Sequence, residues 1–237
     1  MCTRECAVAY LDVLGFKYLV NQERPLEALP LALMECFGGK FASETAKECN
    51  VEYVIFSDSI LARSLATSPP YRGLTNIVRF CSQILTMSIY RRLPVRGAIS
   101  WGDVYWNSET EIRIGIPINE AVGWEGRQAW AGIMLIGSAM RYMLQHEVCT
   151  QETKPYLFPL DEAIVPLRDN PDERIRAGVV RPRVSSHSEY KKLAAILHEI
   201  GLESCDLEVQ RKLGRTADLL ATHTPHREAN HLHSDEN

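Results

Sequence analysis

The stretch AVAYLDVLGFK, residues Ala7–Lys17, predicts a buried strand that ends in an acidic residue and turns into a helix. Apolar and aromatic residues precede Asp12, Gly15 stands where a tight turn is expected, and a helix is predicted from Phe16. An ionised carboxylate removed from water needs a partner charge or a metal ion. The turn also offers free backbone N–H groups at a helix start, which suit a phosphate. This segment therefore predicts a site for a divalent cation and the phosphates bound to it.

The composition is that of an ordinary globular protein with a sizeable core. The chain has 237 residues, of which 46% are hydrophobic and 24% charged, and its net charge is −4. The slightly acidic balance argues against a nucleic-acid partner, and no apolar run is long enough to predict a membrane span. Seven scattered cysteines without a C-x-x-C pair indicate reduced thiols rather than a zinc site. The N-terminus does not resemble a secretory signal, so we expect a cytoplasmic protein.

The segments after Asp12 alternate between strand and helix patterns. Residues 51–65 predict a hairpin with Asp58 at its tip, and 73–92 predict an amphipathic helix. Residues 95–106 and 111–118 predict an antiparallel pair, followed by a helix from Asn119 and by a strand and a helix within 132–146. This order favours an α+β fold, with a ferredoxin-like antiparallel sheet and helices on one face.

The last third of the chain gives a weaker pattern. Two more strands are expected between 156 and 184, and an amphipathic helix over 187–213. We therefore predict one domain over 1–215 with extra C-terminal strands and a helix. The polar segment 216–237 predicts a disordered tail, and its histidines are interpreted as solvated rather than metal-binding.

In a ferredoxin-like sheet the first strand lies beside the hairpin, which would bring Asp12 and Asp58 to the same edge. Two carboxylates in contact raise each other's pKa unless a cation lies between them. Mg²⁺ or Mn²⁺ suits such a site, because these ions take oxygen ligands from carboxylates, water and phosphate. The alternative is that Asp12 caps the following helix and Asp58 is only a turn residue.

Four segments resemble the core motifs of class III nucleotidyl cyclases in order and spacing: LDVLGFK (11–17), FSDSI (56–60), RGAISWG (96–102) and GIPINEAVGWE (115–125). The departures from adenylate and guanylate cyclases resemble those of the Pycsar pyrimidine cyclases of bacterial antiphage defence. The resemblance covers about residues 6–146. It implies a nucleotidyl cyclase catalytic domain that works as a head-to-tail homodimer, with active sites at the subunit interface.

The resemblance also assigns roles at the metal and phosphate site. Two divalent metal ions, Mn²⁺ or Mg²⁺, would be held by Asp12, Asp58 and the carbonyl of Val13. The turn formed by Gly15, Phe16 and Lys17 would lie under the triphosphate. The ribose 3′-hydroxyl would attack the α-phosphate, and diphosphate would leave.

Tyr53 and Ile112 carry the prediction of a pyrimidine base. Adenylate and guanylate cyclases usually carry Lys or Glu on the strand that leads to the second aspartate, and here Glu52 and Tyr53 lie near that place. A tyrosine there resembles the pyrimidine cyclases, and it would fill the space of a purine. Ile112 stands where the family carries a second purine-reading aspartate. Tyr53 as an ordinary hairpin aromatic is the alternative.

The helix motif places Asn119 where it would orient the ribose, although a plain N-cap is the alternative. The transition-state arginine of the family falls on Gly123, and Arg113 or Arg127 would have to replace it. Arg96 is interpreted as structural.

The sequence thus predicts a uridylate cyclase that makes cyclic UMP from UTP. A cytidylate cyclase acting on CTP and a nucleotide-binding module without catalysis are the alternatives.

Overall fold

A computed structural model describes residues 3–21, 28–159, 164–168, 174–204 and 206–222. The strands are β1 Arg4–Val13, β2 Val51–Phe56, β3 Ser59–Ser64, β4 Val95–Asn107, β5 Ile112–Gly115, β6 Ile133–Leu135, β7 Ile164–Pro166, β8 Arg174–Arg176 and β9 Gly178–Val179. The helices are α1 Phe16–Asn21, α2 Ala28–Leu33, α3 Lys40–Glu48, α4 Arg72–Tyr90, α5 Ile116–Arg127, α6 Gly137–Gln145, α7 Glu147–Thr153, α8 His187–Glu203 and α9 Leu207–Thr222. A π-helical turn, Met34–Gly38, links α2 to α3.

A seven-stranded sheet forms the centre, in the order β2-β3-β1-β4-β6-β9, with β5 paired to β4. The predicted hairpin is confirmed as β2 and β3, and β3 lies antiparallel to β1. The sheet is not wholly antiparallel, because β6 runs parallel to β4. Parallel neighbours need a crossover connection, and α5 supplies it.

Side chains alternate between the two faces of β1. Ala7, Ala9 and Leu11 belong to the main core together with α4, and we call this side the core face. Cys6 and Val8 pack in a second cluster with Leu61, Val104 and Trp106 on the opposite side. Tyr10 and Asp12 share that side because alternate residues of a strand point the same way. We call it the Asp12 face.

The helical layer lies mainly against the core face, as predicted. Helix α4 packs on four strands of the sheet, and its buried stripe includes Ile77, Phe80 and Ile84. Helix α5 instead packs along β1 and β4, where Ile118 meets the second cluster and Ser100 Oγ donates a hydrogen bond to Pro117 O. The Asp12 face is therefore partly covered by α5.

The C-terminal prediction is corrected in two respects. The single helix predicted over 187–213 is two helices, because Asp206 starts a new one by accepting the N–H groups of Glu208 at 2.8 Å and Val209 at 3.3 Å. Helix α9 then continues to Thr222, so the disordered tail predicted from residue 216 is wrong for 216–222. Thr216, Ala217 and Leu220 are buried there. Residues 223–237 lie outside the described residues.

Candidate active site

The end of β1 and the tip of the β2–β3 hairpin meet, as the sequence predicts. Asp12 lies opposite Ser59 in the β1–β3 ladder, and the backbone N–H of Val13 donates to Asp58 O at 3.2 Å. Asp58 occupies the two-residue turn of the hairpin beside Ser57, whose φ of 54° lies in the left-handed region. The structure therefore brings Asp12, Val13 and Asp58 together.

Two hydrogen bonds fix the orientation of the Asp12 carboxylate. Tyr10 Oη donates to Ser59 Oγ at 2.9 Å, and Ser59 Oγ donates to Asp12 Oδ1 at 2.7 Å. All three side chains lie on the Asp12 face. Because Ser59 occupies one position on Oδ1, the remaining lone pairs of the carboxylate are left for a ligand.

Asp12 has a raised pKa. Partial burial is the main cause, and the Asp58 carboxylate adds to it, while the Ser59 hydrogen bond and the Arg96 guanidinium oppose it. A cation bound between two neighbouring carboxylates reduces their repulsion and favours their ionised forms. The electrostatics of this edge therefore favour a bound cation.

Arg96 belongs to this cluster, although sequence reasoning interpreted it as structural. It lies opposite Asp12 in the β1–β4 ladder and forms a buried ion pair with Glu125 of α5. Its Nη1 also donates to Gln128 O at 3.2 Å. Burial raises the pKa of Glu125 and the Asp12 charge adds to this, whereas Arg96 and Lys212 oppose it. The sequence offered one signal for this pair, since Arg96 lies in the apolar start of a strand and Glu125 lies in the next helix along the chain.

The Gly15 turn and the start of α1 lie directly after Asp12. Gly15 has a φ of +75°, a conformation that side chains disfavour. Phe16 is half-buried against the core, and Lys17 is exposed in the first turn of α1. This places the Gly15 amide and the Lys17 ammonium next to the paired carboxylates in the chain.

Tyr53 is not brought to this cluster. It pairs with Ala62 on the core face, and its ring lies 5.7 Å from that of Phe80 in α4. The neighbouring Glu52 faces the other way and accepts hydrogen bonds from Arg63 at 2.6 Å and from Ser108 at 2.5 Å. The hairpin-aromatic alternative fits Tyr53 better than direct contact with a base.

Arg113 reaches back over the Asp12 face from β5. Its guanidinium carbon lies 4.9 Å from the Trp106 ring centroid and 5.8 Å from that of Phe56, which is paired with Ser59. Within the described part of the chain, Arg113 Nε is buried without a hydrogen-bond partner. The guanidinium is held in place by the two rings and by a hydrogen bond from Arg113 Nη1 to Glu111 O at 2.8 Å.

Asn119 lies in the first turn of α5 and is exposed, but it is not the N-cap, which is Gly115. The capping alternative for Asn119 is therefore wrong. Gly123 is exposed one turn further on, and a Cβ built there meets no atom within 4 Å. Arg127 stacks on Trp124 at 4.3 Å.

The residues present fit divalent metal ions that are shared with a substrate. Among the residues that the structure describes, no group of three or more His, Cys, Asp or Glu side chains is arranged to hold an ion by itself. Mg²⁺ is commonly held by one or two carboxylates, with substrate phosphates and water completing its shell. Asp12, Asp58 and the adjacent backbone supply that partial set of oxygen ligands.

Comparisons with known proteins identify the fold. No protein-family model matches the sequence, and no curated protein is significantly similar to it. Among solved structures, the chain is similar to the catalytic core of a rhodopsin-guanylyl cyclase with converted specificity in complex with ATPαS. The TM-score is 0.54 at 14% identity, and the match covers 77% of this chain and 97% of that one.

Two further structures agree. The adenylyl cyclase CyaB from P. aeruginosa matches with a TM-score of 0.50 and 16% identity, over 77% of this chain and 98% of that one. The monomeric guanylyl cyclase domain of the RhoGC fusion protein from the aquatic fungus Blastocladiella emersonii matches with a TM-score of 0.50 and 16% identity, over 61% and 90%. None of the helices in the described ranges has the length and apolarity needed to cross a bilayer. The chain has the α+β fold of class III nucleotidyl cyclase domains.

Proposed function

We propose that this protein is a pyrimidine nucleotide cyclase that converts UTP to 3′,5′-cyclic UMP and diphosphate with Mn²⁺ or Mg²⁺. The observation that carries the proposal is the meeting of Asp12 and Asp58 at the end of β1, on a fold shared with nucleotidyl cyclases. Two carboxylates at one edge beside a glycine turn suit a metal-bound triphosphate.

Asp12, Asp58 and the carbonyl of Val13 would hold the two ions. Bound there, the ions would lower the pKa of the ribose 3′-hydroxyl and neutralise charge on the phosphates. The 3′-oxygen forms a bond to the α-phosphorus, the bond between the α-phosphorus and the bridging oxygen breaks, and diphosphate leaves with that electron pair. The hydroxyl proton passes to water.

The Gly15 turn and two cationic side chains of this chain would bind and orient the triphosphate. The Gly15 turn presents backbone N–H groups, Phe16 anchors the turn against the core, and Lys17 adds a positive charge. Arg96 is held in place by Glu125 and adds a second charge beside Asp12. Because Lys17 is exposed, removing its charge should weaken triphosphate binding more than it changes the fold.

We infer a head-to-tail homodimer with two composite sites. The outward side of β5 and the start of α5 expose Ile112, Ile114 and Ile116 by 46%, 65% and 82%. Three large apolar side chains exposed at alternate positions of one short stretch favour an interaction surface. Asn119 stands beside them and would orient the ribose of the nucleotide bound to the other subunit, and Arg113 would stabilise the charge that develops on the phosphates.

The pyrimidine base is proposed from the resemblance to Pycsar cyclases and from Ile112, which offers no polar group to a purine. Tyr53 supports it less than the sequence suggested, because its ring packs on the core face. CTP is the alternative substrate, because uracil and cytosine differ at one ring edge. A cyclic pyrimidine nucleotide would serve as a second messenger in bacterial antiphage defence.

The test is to incubate the purified protein with each of the four nucleoside triphosphates and Mn²⁺ and to identify the products by mass spectrometry. We expect cyclic UMP as the dominant product, and none from Asp12→Asn or Asp58→Asn. Dominant turnover of ATP or GTP would rule out the pyrimidine assignment. Undiminished turnover in either variant would rule out the metal site.

Gly123 favours one alternative, a cyclase-like module that binds nucleotide without converting it. Gly123 occupies the position of the family's transition-state arginine, and it lies on an exposed helix face where a Cβ would contact nothing within 4 Å. Nucleotide binding by calorimetry together with no product from any triphosphate would favour this module.

A further inference from the structure

The C-terminal helix α9 contacts the candidate site at the Gly15 turn. A Cβ built on Gly15 would lie 3.4 Å from Cγ2 and 3.6 Å from Cγ1 of Val209. Val209 is buried and stands in the first turn of α9. Because Val209 packs where a Gly15 side chain would point, it limits the movement of the turn from that side.

Helix α9 also holds the segment 128–132 between α5 and β6. The backbone N–H of Ala131 donates to Thr216 Oγ1 at 2.9 Å, and the Thr216 hydroxyl donates to Ala131 O at 2.7 Å. Arg215 Nη1 donates to Ala129 O at 2.9 Å. Within this segment Thr216 bonds only to backbone atoms, so the helix fixes the path of the main chain there.

The same segment fixes Arg96. Gln128 O accepts a hydrogen bond from Arg96 Nη1 at 3.2 Å, and Gln128 Nε2 donates to Gly97 O at 2.9 Å. Gly97 N–H in turn donates to Gly132 O at 2.9 Å. Since Arg96 lies opposite Asp12, a shift of this segment would move the guanidinium that faces the carboxylate.

We propose that α9 is a positioning element of the nucleotide site, in which Val209 holds the Gly15 turn and Thr216 holds the segment that fixes Arg96. The inference rests on the proposed function, because it assigns the turn and Arg96 to the triphosphate. It adds to that function a role for a C-terminal helix outside the motifs that resemble cyclases. The two contacts involve different residues of α9 and different segments of the chain, so each can be weakened separately.

The experiment compares Val209→Ala and Thr216→Val with a control, Leu74→Ala, in the full chain. Leu74 is buried near the start of α4 and belongs to the main core. Thr216→Val removes the hydroxyl at nearly constant volume, and Thr216→Ser restores it. The measurements are hydrogen exchange of the free protein, the affinity for a non-hydrolysable UTP analogue with Mn²⁺, and urea unfolding.

We expect Val209→Ala to speed hydrogen exchange at residues 14–17, and Thr216→Val to speed it at 129–132. Each should weaken binding of the analogue by about 3- to 10-fold, the range of one lost hydrogen bond or packing contact. Thr216→Ser should restore the affinity. Leu74→Ala should lower stability and leave both segments and the affinity unchanged.

The proposal would be overturned if affinity fell in all three variants in proportion to their loss of stability. Unchanged affinity in both α9 variants would also overturn it. A chain that binds no nucleoside triphosphate before any substitution would instead defeat the proposed function. Hydrogen exchange of the free protein would then still report whether Val209 and Thr216 hold their segments.

Discussion

Ionised Asp12 lowers the free energy of unfolding of the free protein, and a bound cation would remove this destabilisation. Its pKa is raised by burial and by Asp58, so the folded chain holds the proton more tightly than the unfolded chain does. Ionised Asp12 therefore opposes folding at pH values above its folded pKa, and this cost disappears as the pH falls below the unfolded value. Groups at functional sites are often perturbed in this way.

We predict that Asp12→Asn stabilises the free protein at pH 7 and abolishes its response to metal. Asn keeps an oxygen for the Ser59 hydrogen bond but carries no charge. The melting temperature should rise by about 2–4 °C for each kcal/mol removed, and the difference from the unchanged chain should vanish near pH 4. Mn²⁺ with nucleotide should stabilise only the unchanged chain. A lower melting temperature for Asp12→Asn at pH 7 would contradict the predicted cost.

The ion pair between Arg96 and Glu125 makes a separate prediction. The two side chains are only 11% and 10% exposed. Arg96→Met leaves Glu125 buried without its partner, and breaking such a pair costs about 3–5 kcal/mol of unfolding free energy. Adding Glu125→Gln removes the unpaired charge, so the double variant should recover part of the loss in urea unfolding. A double variant as unstable as the sum of its two single variants would show that the residues are not coupled.

At the residue scale the sequence predicted the carboxylates but not their neighbours. Asp12 and Asp58 could be found because each interrupts an apolar pattern at the end of a strand. The partnership of Arg96 with Asp12 depends on the β1–β4 register, which local patterns do not contain. Tyr53 was assigned to the base from the resemblance to pyrimidine cyclases, whereas the face it points to depends on the pairing register.

Among the elements, β1 and β4 pack closely against each other at Gly97. A Cβ built there would lie 2.5 Å from Tyr10 O and would also collide with Leu11 Cδ2. The neighbouring backbone belongs to β1, the strand that carries Asp12, so it cannot move without disturbing the candidate site. Gly123 in α5 is the opposite case, since nothing lies within 4 Å of a Cβ there.

We predict opposite effects of the same substitution at these two glycines. Gly97→Ala should lower the free energy of unfolding by about 1–3 kcal/mol, because overpacking pushes β1 and β4 apart. Gly123→Ala should raise it by up to about 1 kcal/mol, because alanine favours a helix. Urea unfolding of both variants checks this. A neutral Gly97→Ala would contradict the close pairing of the two strands.

The elements themselves were largely predictable, and the exceptions have local causes. The hairpin and α4 were found because their apolar periods are long and regular. The break between α8 and α9 was missed although Asp206 is an N-cap residue, since the apolar spacing continues across it. The parallel pairing of β6 was missed because a three-residue strand carries no signal of its direction.

For the whole molecule, the exposed apolar residues of β5 and α5 lie apart in the chain from the carboxylates of β1 and the hairpin. If two subunits complete each site, the metal ligands and Asn119 of one site belong to different chains. A heterodimer that carries Asp12→Asn in one chain and Asn119→Ala in the other then keeps one intact site, while its second site carries both defects.

We therefore predict that two inactive variants restore each other. Asp12→Asn and Asn119→Ala should each be inactive or nearly so, and an equal mixture should regain about one quarter of the unchanged activity when subunits exchange at random in a twofold dimer. The assay is cyclic nucleotide formation after mixing, with Asp12→Asn mixed with Asp58→Asn as the control. That control should stay inactive, because each site takes both carboxylates from one chain and every site in the mixture therefore lacks one of them. No recovery in the first mixture, despite subunit exchange seen by native mass spectrometry, would place Asn119 and the carboxylates of each site in the same subunit.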